Sequence, residues 1–286
     1  MARDGPALLG VSFIAAKPSA TRGVKTVTGA RVRAAALGGF LAVGAIDAWL
    51  AGAAKATAHR ARWLTKPMLM PLLATTLLTR PGIKDSPMRD STLVAEAAGW
   101  VGDVILLNDG TVAFAAGAGA FGVGHAAYIW GLRANRRIER PLKRAPSGRV
   151  AMALALGAGP LMAVGAARED PALSPAVAAY VGLLSTMFAC AGNLRTDLPT
   201  RTRRLTSIGA AAFVASDSLL ATRQFWWRSA PARVESVVMI AYLLAQLLLS
   251  EGAAAATRQT PNREPSRPIA ASPEPSGLGS QPPAES

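Results

Sequence analysis

Along this chain, apolar stretches of membrane length alternate with short polar connectors. The apolar runs recur from about residue 33 to the 250s, and the connectors are rich in Arg or in Pro and Gly. Eight helices are predicted from the pattern, at about 34–54, 64–79, 91–107, 111–132, 150–167, 171–191, 205–222 and 234–252. The second is the shortest, with thirteen uncharged residues between Lys66 and Arg80. Trp63 and Leu64 lengthen it, and the Lys66 side chain can reach back to the interface. Its prolines, Pro67 and Pro71, are placed in the first two turns, where a missing N–H costs least.

This pattern predicts an all-α fold, a polytopic membrane bundle of about eight helices occupying residues 31–256. Residues 1–30 read as an N-terminal tail. Its one apolar patch, Ala7–Ala16, is too weak to span and lacks the basic start of a signal peptide. Residues 257–286 are rich in Pro, Ser and Glu and are expected to be disordered.

Composition agrees with the pattern. Of 286 residues 51% are hydrophobic and 17% charged, where a soluble chain carries about 25% charge. The net charge of +14 raises nucleic-acid binding as a function. The basic residues, however, lie in connectors, and no helix-turn-helix, zinc or RNA-binding signature accompanies them, so no nucleic-acid partner is predicted. In the eight-helix order, 23 of the 31 Lys and Arg residues fall on the side of the two tails. That bias predicts a multi-pass protein of the cell membrane with both termini in the cytoplasm. Cys190 is the single cysteine and excludes an internal disulfide.

Against this apolar background, the exceptions carry the chemistry. The run Ser91–Leu107 contains Glu96 and Asp103, seven residues apart and so on one side of a helix. Gly99 and Gly102 beside them allow close approach of another helix. A carboxylate at mid-membrane depth costs about 3 kcal/mol on insertion scales and marks a functional site by default. In the predicted topology Asp47, Asp103 and Asp217 lie near the outer ends of their helices, and Lys66 lies at the outer end of its own. Three acids and a lysine thus share one layer. The fourth helix puts Gly117, Phe121, His125 and Tyr128 on one face, and the eighth does the same with Glu235, Tyr242 and Gln246. A polar interior lined by several helices follows, because lipid does not tolerate these groups. Each also has a structural reading. Asp103 and Asp217 could pair with Lys66 or cap a broken helix, Asp47 could reach the interface beside Trp49, and His125 could bridge two helices. His59 reads as a solvated loop residue.

Five segments in order then resemble a known family: Thr65–Leu73 (TKPMLMPLL), Gly99–Leu107 (GWVGDVILL), the spaced Gly117, Phe121, His125 and Tyr128, Ala215–Ala221 (ASDSLLA) and Ala241–Leu249 (AYLLAQLLL). Together, over about Arg62 to Ser250, they are similar to the YhhN family of multi-pass membrane proteins, whose characterised members are lysoplasmalogenases. The resemblance implies hydrolysis of the vinyl ether bond of a lysoplasmalogen, giving a fatty aldehyde and a glycerophospho-ethanolamine or glycerophospho-choline. Such a reaction needs a carboxylic acid to protonate the alkene carbon and a second carboxylate to stabilise the oxocarbenium ion and orient water. Asp103 and Asp217 are the candidates for that catalytic pair. Lys66, His125, Tyr128, Tyr242 and Gln246 are the candidate substrate-binding residues. No cofactor is implied, and two histidines make a histidine metal site unexpected. A transporter or lipid-binding protein without chemistry is the alternative, since intramembrane acids also serve proton-coupled transport.

Overall fold

The computed structural model describes residues 20–257, with side chains described from Thr28. The predicted C-terminal tail beyond Thr257 and the first part of the N-terminal one lie outside the described residues. Eight α-helices follow one another: α1 (Ala20–Ala51), α2 (Ala56–Leu78), α3 (Arg89–Ile105), α4 (Thr111–Ala134), α5 (Pro146–Glu169), α6 (Leu173–Ala191), α7 (Thr200–Phe225) and α8 (Arg233–Ala255). No strand occurs among the described residues, and the chain folds as the polytopic helical bundle the hydropathy predicts.

Six helices are long and apolar enough to cross a membrane; α2 and α3 are not among them. The reason is composition. The first half of α2 carries Arg60, Arg62 and Lys66, and α3 has only 17 residues, including Arg89, Asp90, Glu96 and Asp103. Arg62 and Lys66 of α2 pair with Asp47 and Asp103 inside the bundle, so tertiary packing supplies part of what hydropathy lacks.

Helix α2 also begins earlier than its apolar run suggests. Starting at Ala56, it places Pro67 and Pro71 in its interior and not in its first two turns. His59 accordingly lies in the first turn of α2, where its Nε2 stands 3.0 Å from the Leu107 carbonyl. The cost of the two prolines is partly met by a neighbour. The carbonyl of Pro67 would accept from the N–H of residue 71, which proline lacks. The Trp100 indole of α3 donates to that carbonyl instead, at 2.8 Å.

Consecutive helices pack as antiparallel pairs, α1 with α2, α3 with α4, α5 with α6 and α7 with α8. Further contacts of α1 with α8, α2 with α3, α4 with α6 and α6 with α7 close the bundle, and α5 lies outside against α6 and α7. Helix α8 is the axis: it touches α1, α2, α3 and α7, and 61% of its apolar stretch is buried against 28–33% for the other spanning helices. The core mixes large side chains, among them Phe40, Met70, Leu73, Met187 and Phe213, with many alanines. That mixture suits helices that associate by close packing and not by expulsion of water.

At two places glycine is required by contact. A Cβ on Gly102 would stand 2.7 Å from the Phe121 ring and 3.1 Å from the Gly117 carbonyl, so α3 and α4 could not approach as they do. A Cβ on Gly99 would stand 3.0 Å from Gln246 Nε2 and 3.3 Å from the Tyr242 hydroxyl. This glycine makes room for polar side chains of α8.

The two ends of the bundle are tied differently. At one end the α4–α5 and α6–α7 connectors meet in an isolated antiparallel bridge between Arg136 and Leu194. Beside it Glu251 pairs with Arg80 and, at 3.7 Å, with Arg201. At the other end Arg223 pairs with Glu235 at 2.7 Å, Arg228 pairs with Glu169, and the Arg168 guanidinium lies 4.6 Å above the Trp226 ring. A large cavity opens at this second end.

Candidate functional site

The cavity has a volume of about 1090 Å³ and penetrates the bundle between α2, α3, α4, α5, α6, α7 and α8. Its wall is largely apolar, with small residues of α4 such as Ala118, Gly119 and Gly122 on one side. Lys66, Asp103, Tyr180, Asp217 and Tyr242 supply polar groups to the wall. The two predicted acids, from α3 and α7, therefore line one space.

Asp103 is 1% exposed and held from two helices. Lys66 of α2 places its Nζ 3.3 Å from Oδ1, and Tyr242 of α8 donates to Oδ2 at 2.8 Å. The tyrosine is itself the end of a line. Tyr128 of α4 donates to Gln246 Oε1 at 2.7 Å, and Gln246 Nε2 donates to the Tyr242 oxygen at 3.3 Å. Every donor in this line points toward Asp103. Tyr128 and Gln246 sit in the packed interior behind the cavity wall and act through Tyr242. One turn of α8 separates Tyr242 from Gln246, and the glycine at position 99 faces both.

Asp217 is held differently. Its side chain is 14% exposed, and no Lys or Arg pairs with it among the described residues. Tyr180 of α6 donates to Oδ2 at 2.6 Å. His125 of α4 stands behind, with Nε2 3.0 Å from the Tyr180 oxygen and 3.6 Å from Asp217 Oδ2. The imidazole is fixed edge-on between Tyr180 and Phe213, with ring centroids 5.2 Å and 4.7 Å away.

An aromatic cluster lies between the two aspartates. Phe213 meets both His125 and, at 5.6 Å, Tyr242; Phe121 meets Tyr242 at 5.6 Å. No hydrogen bond joins the Asp103 line to the Asp217 line among the described residues, so the two groups share a cavity and not a direct contact.

Asp47 is fully buried behind this site. Both of its oxygens face the Arg62 guanidinium at 3.4 Å, and Thr65 donates to Oδ1 at 2.6 Å. This pairing takes the side chain inward and not to the interface beside Trp49, which is 71% exposed. Glu96 is also fully buried, toward Ser250 and Tyr128, and does not line the cavity. Among the described residues, no group of three His, Cys, Asp or Glu side chains is placed to hold a metal ion.

Two residues of the site are missing from the sequence reading. Arg62 lies four residues before Lys66 and on the same face of α2, but a helix begun at residue 64 leaves it in a connector. Tyr180 sits alone in an apolar run and breaks no hydropathy rule. The signal that could have found it is chemical: a buried phenol seeks a partner, and the three tyrosines of the chain, Tyr128, Tyr180 and Tyr242, all end here.

No curated protein and no solved structure matches the chain. A family model does, that of the YhhN family, over residues 61–253. The match takes in α2 through nearly all of α8, and so every residue of both aspartate lines, while α1 with Asp47 falls outside it. The protein is thus a member of the YhhN family.

Proposed function

We propose that this protein hydrolyses the vinyl ether bond of a lysoplasmalogen within the bilayer, with Asp103 and Asp217 as its carboxylate pair. The products are a fatty aldehyde and a glycerophospho-ethanolamine or glycerophospho-choline. The observation that carries the reading is the cavity itself: two aspartates from different helices line one largely apolar space beside a buried lysine. Membership of the YhhN family, which is associated with lysoplasmalogenase activity, supports it.

The chemistry suits those residues. Protonation of the alkene carbon gives an oxocarbenium ion, water adds to it, and the hemiacetal collapses. A carboxylic acid supplies the proton, and a fixed carboxylate in a low-dielectric site stabilises the cation. The apolar wall accepts the hydrocarbon chain. Lys66 stands where it can meet the lipid phosphate as well as Asp103, and Tyr242, Gln246 and Tyr128 keep the Asp103 carboxylate oriented. The Lys and Arg asymmetry supports a topology with both termini in the cytoplasm and the cavity mouth on the opposite side.

The test is aldehyde release from a lysoplasmenyl lipid by purified protein in detergent. Asp103→Asn and Asp217→Asn are each expected to lower kcat by at least about 100-fold. Variants that fold normally and retain the parent rate overturn the assignment. A protein that releases no aldehyde in detergent, where no sealed compartment exists, is a binding or transport protein instead.

A further inference from the structure

His125, Tyr180 and Asp217 form a continuous line whose last member faces the cavity. The proposed hydrolysis, as stated, does not need the first two. They are nevertheless built into the core: His125 is 1% exposed and held by two aromatic rings. Its Nδ1 is buried and has no hydrogen-bond partner. The line therefore has a closed end at the imidazole and one open end at Asp217.

The Asp103 line differs in kind. Its middle member is the Gln246 amide, which orients Tyr242 but does not pass a proton along. Its carboxylate faces Lys66, a cation that compensates a standing negative charge. Imidazole, phenol and carboxylate, by contrast, are all proton-transfer groups.

We propose that Tyr180 is a relay and positioning residue that lets one proton be shared between His125 and Asp217, and that Asp217 is thereby the proton donor of the reaction while Asp103 is the standing anion. The inference rests on the hydrolysis reading above. With the proton on the imidazole, Nε2–H donates to the Tyr180 oxygen and Tyr180 donates to the Asp217 carboxylate. When Nε2 releases its proton to the phenol oxygen, the phenol gives its own proton to Oδ2. Imidazolium and carboxylate become imidazole and carboxylic acid, and the phenol is unchanged. The acid O–H bond then breaks as the alkene electron pair forms the new C–H bond. Water adds to the resulting oxocarbenium ion, and the proton it sheds returns to the Asp217 carboxylate. Collapse of the hemiacetal moves one proton from its hydroxyl to the glycerol oxygen, so the enzyme ends as it began.

The experiment compares Tyr180→Phe, His125→Gln and the double variant, as full-length protein in detergent, on a 1-alkenyl lysophospholipid. Each single change is expected to lower kcat about 100-fold with KM within about twofold of the parent. The double variant is expected to be no slower than the singles, because both break one line. A Tyr180→Phe protein with parent kcat, a loss confined to KM, or losses that multiply in the double variant overturns the relay while leaving the hydrolysis reading intact. Absence of aldehyde release by the parent overturns both. A second readout does not depend on turnover: the infrared carboxyl band that Asp217→Asn removes should shift in Tyr180→Phe and in His125→Gln. A band that neither change moves overturns the coupling.

Discussion

Asp103 and Asp217 line the same cavity from different helices and are supported in opposite ways. Asp103 is almost fully buried, and its surroundings are a lysine, a tyrosine and a glutamine line, all fixed by α2, α4 and α8. Asp217 is partly exposed, has no Lys or Arg partner among the described residues, and rests on α6 and α4 through Tyr180 and His125. The first arrangement holds a charge still. The second suits the proton exchange proposed for Asp217. One sequence motif pattern thus conceals two different electrostatic designs, and the difference resides in the partners more than in the aspartates.

Stability measurements can break this comparison most sharply. Asp103→Asn strands the buried Lys66 cation and is expected to destabilise the protein by about 3–5 kcal/mol. Asp217→Asn keeps an acceptor for Tyr180 and is expected to cost about 1 kcal/mol or less. Thermal unfolding of both variants in detergent checks the contrast; equal losses would show that the two sites are held alike. Lys66→Met should match Asp103→Asn on its own. The double variant Lys66→Met/Asp103→Asn should recover most of the loss, because no charge is left unpaired.

A middle-sized effect probes the close approach of α3 and α4. Gly102→Ala forces Phe121 aside and is expected to cost about 1–3 kcal/mol. It should also disturb Tyr242, on which the Phe121 ring rests, and so reduce activity through Asp103 and not through Asp217. The smallest effect is expected from Tyr128→Phe, which removes the outermost donor of the Asp103 line. It should cost about 1 kcal/mol, read from the same unfolding curves.

What the sequence made legible follows from the same contrast. Asp103, Asp217 and Lys66 are visible because each violates the hydropathy of its surroundings, and depth along the helices was enough to place them in one layer. Their common cavity is the structural counterpart of that layer. Tyr242 and Gln246 were visible through helical spacing. Tyr180 was not, because a single tyrosine is compatible with an apolar helix and its partners come from α4 and α7. Arg62 was hidden by a boundary: apolar content starts α2 near residue 64, whereas backbone hydrogen bonding starts it at Ala56. The interior prolines escaped for the same reason, and the donor that compensates one of them, Trp100, belongs to another helix. Pairwise contacts across the bundle are long-range facts, and a linear pattern does not encode them.

The central position of α8 has a consequence for how the protein is made. Synthesis runs from α1 onward, yet the helix that packs against α1, α2, α3 and α7 is the last of the eight to leave the ribosome. Until it arrives, Asp103 lacks its tyrosine and the pocket has no back wall. Assembly of the candidate site therefore comes late, and a nascent chain stalled before residue 233 would lack the helix that closes the bundle around Asp103.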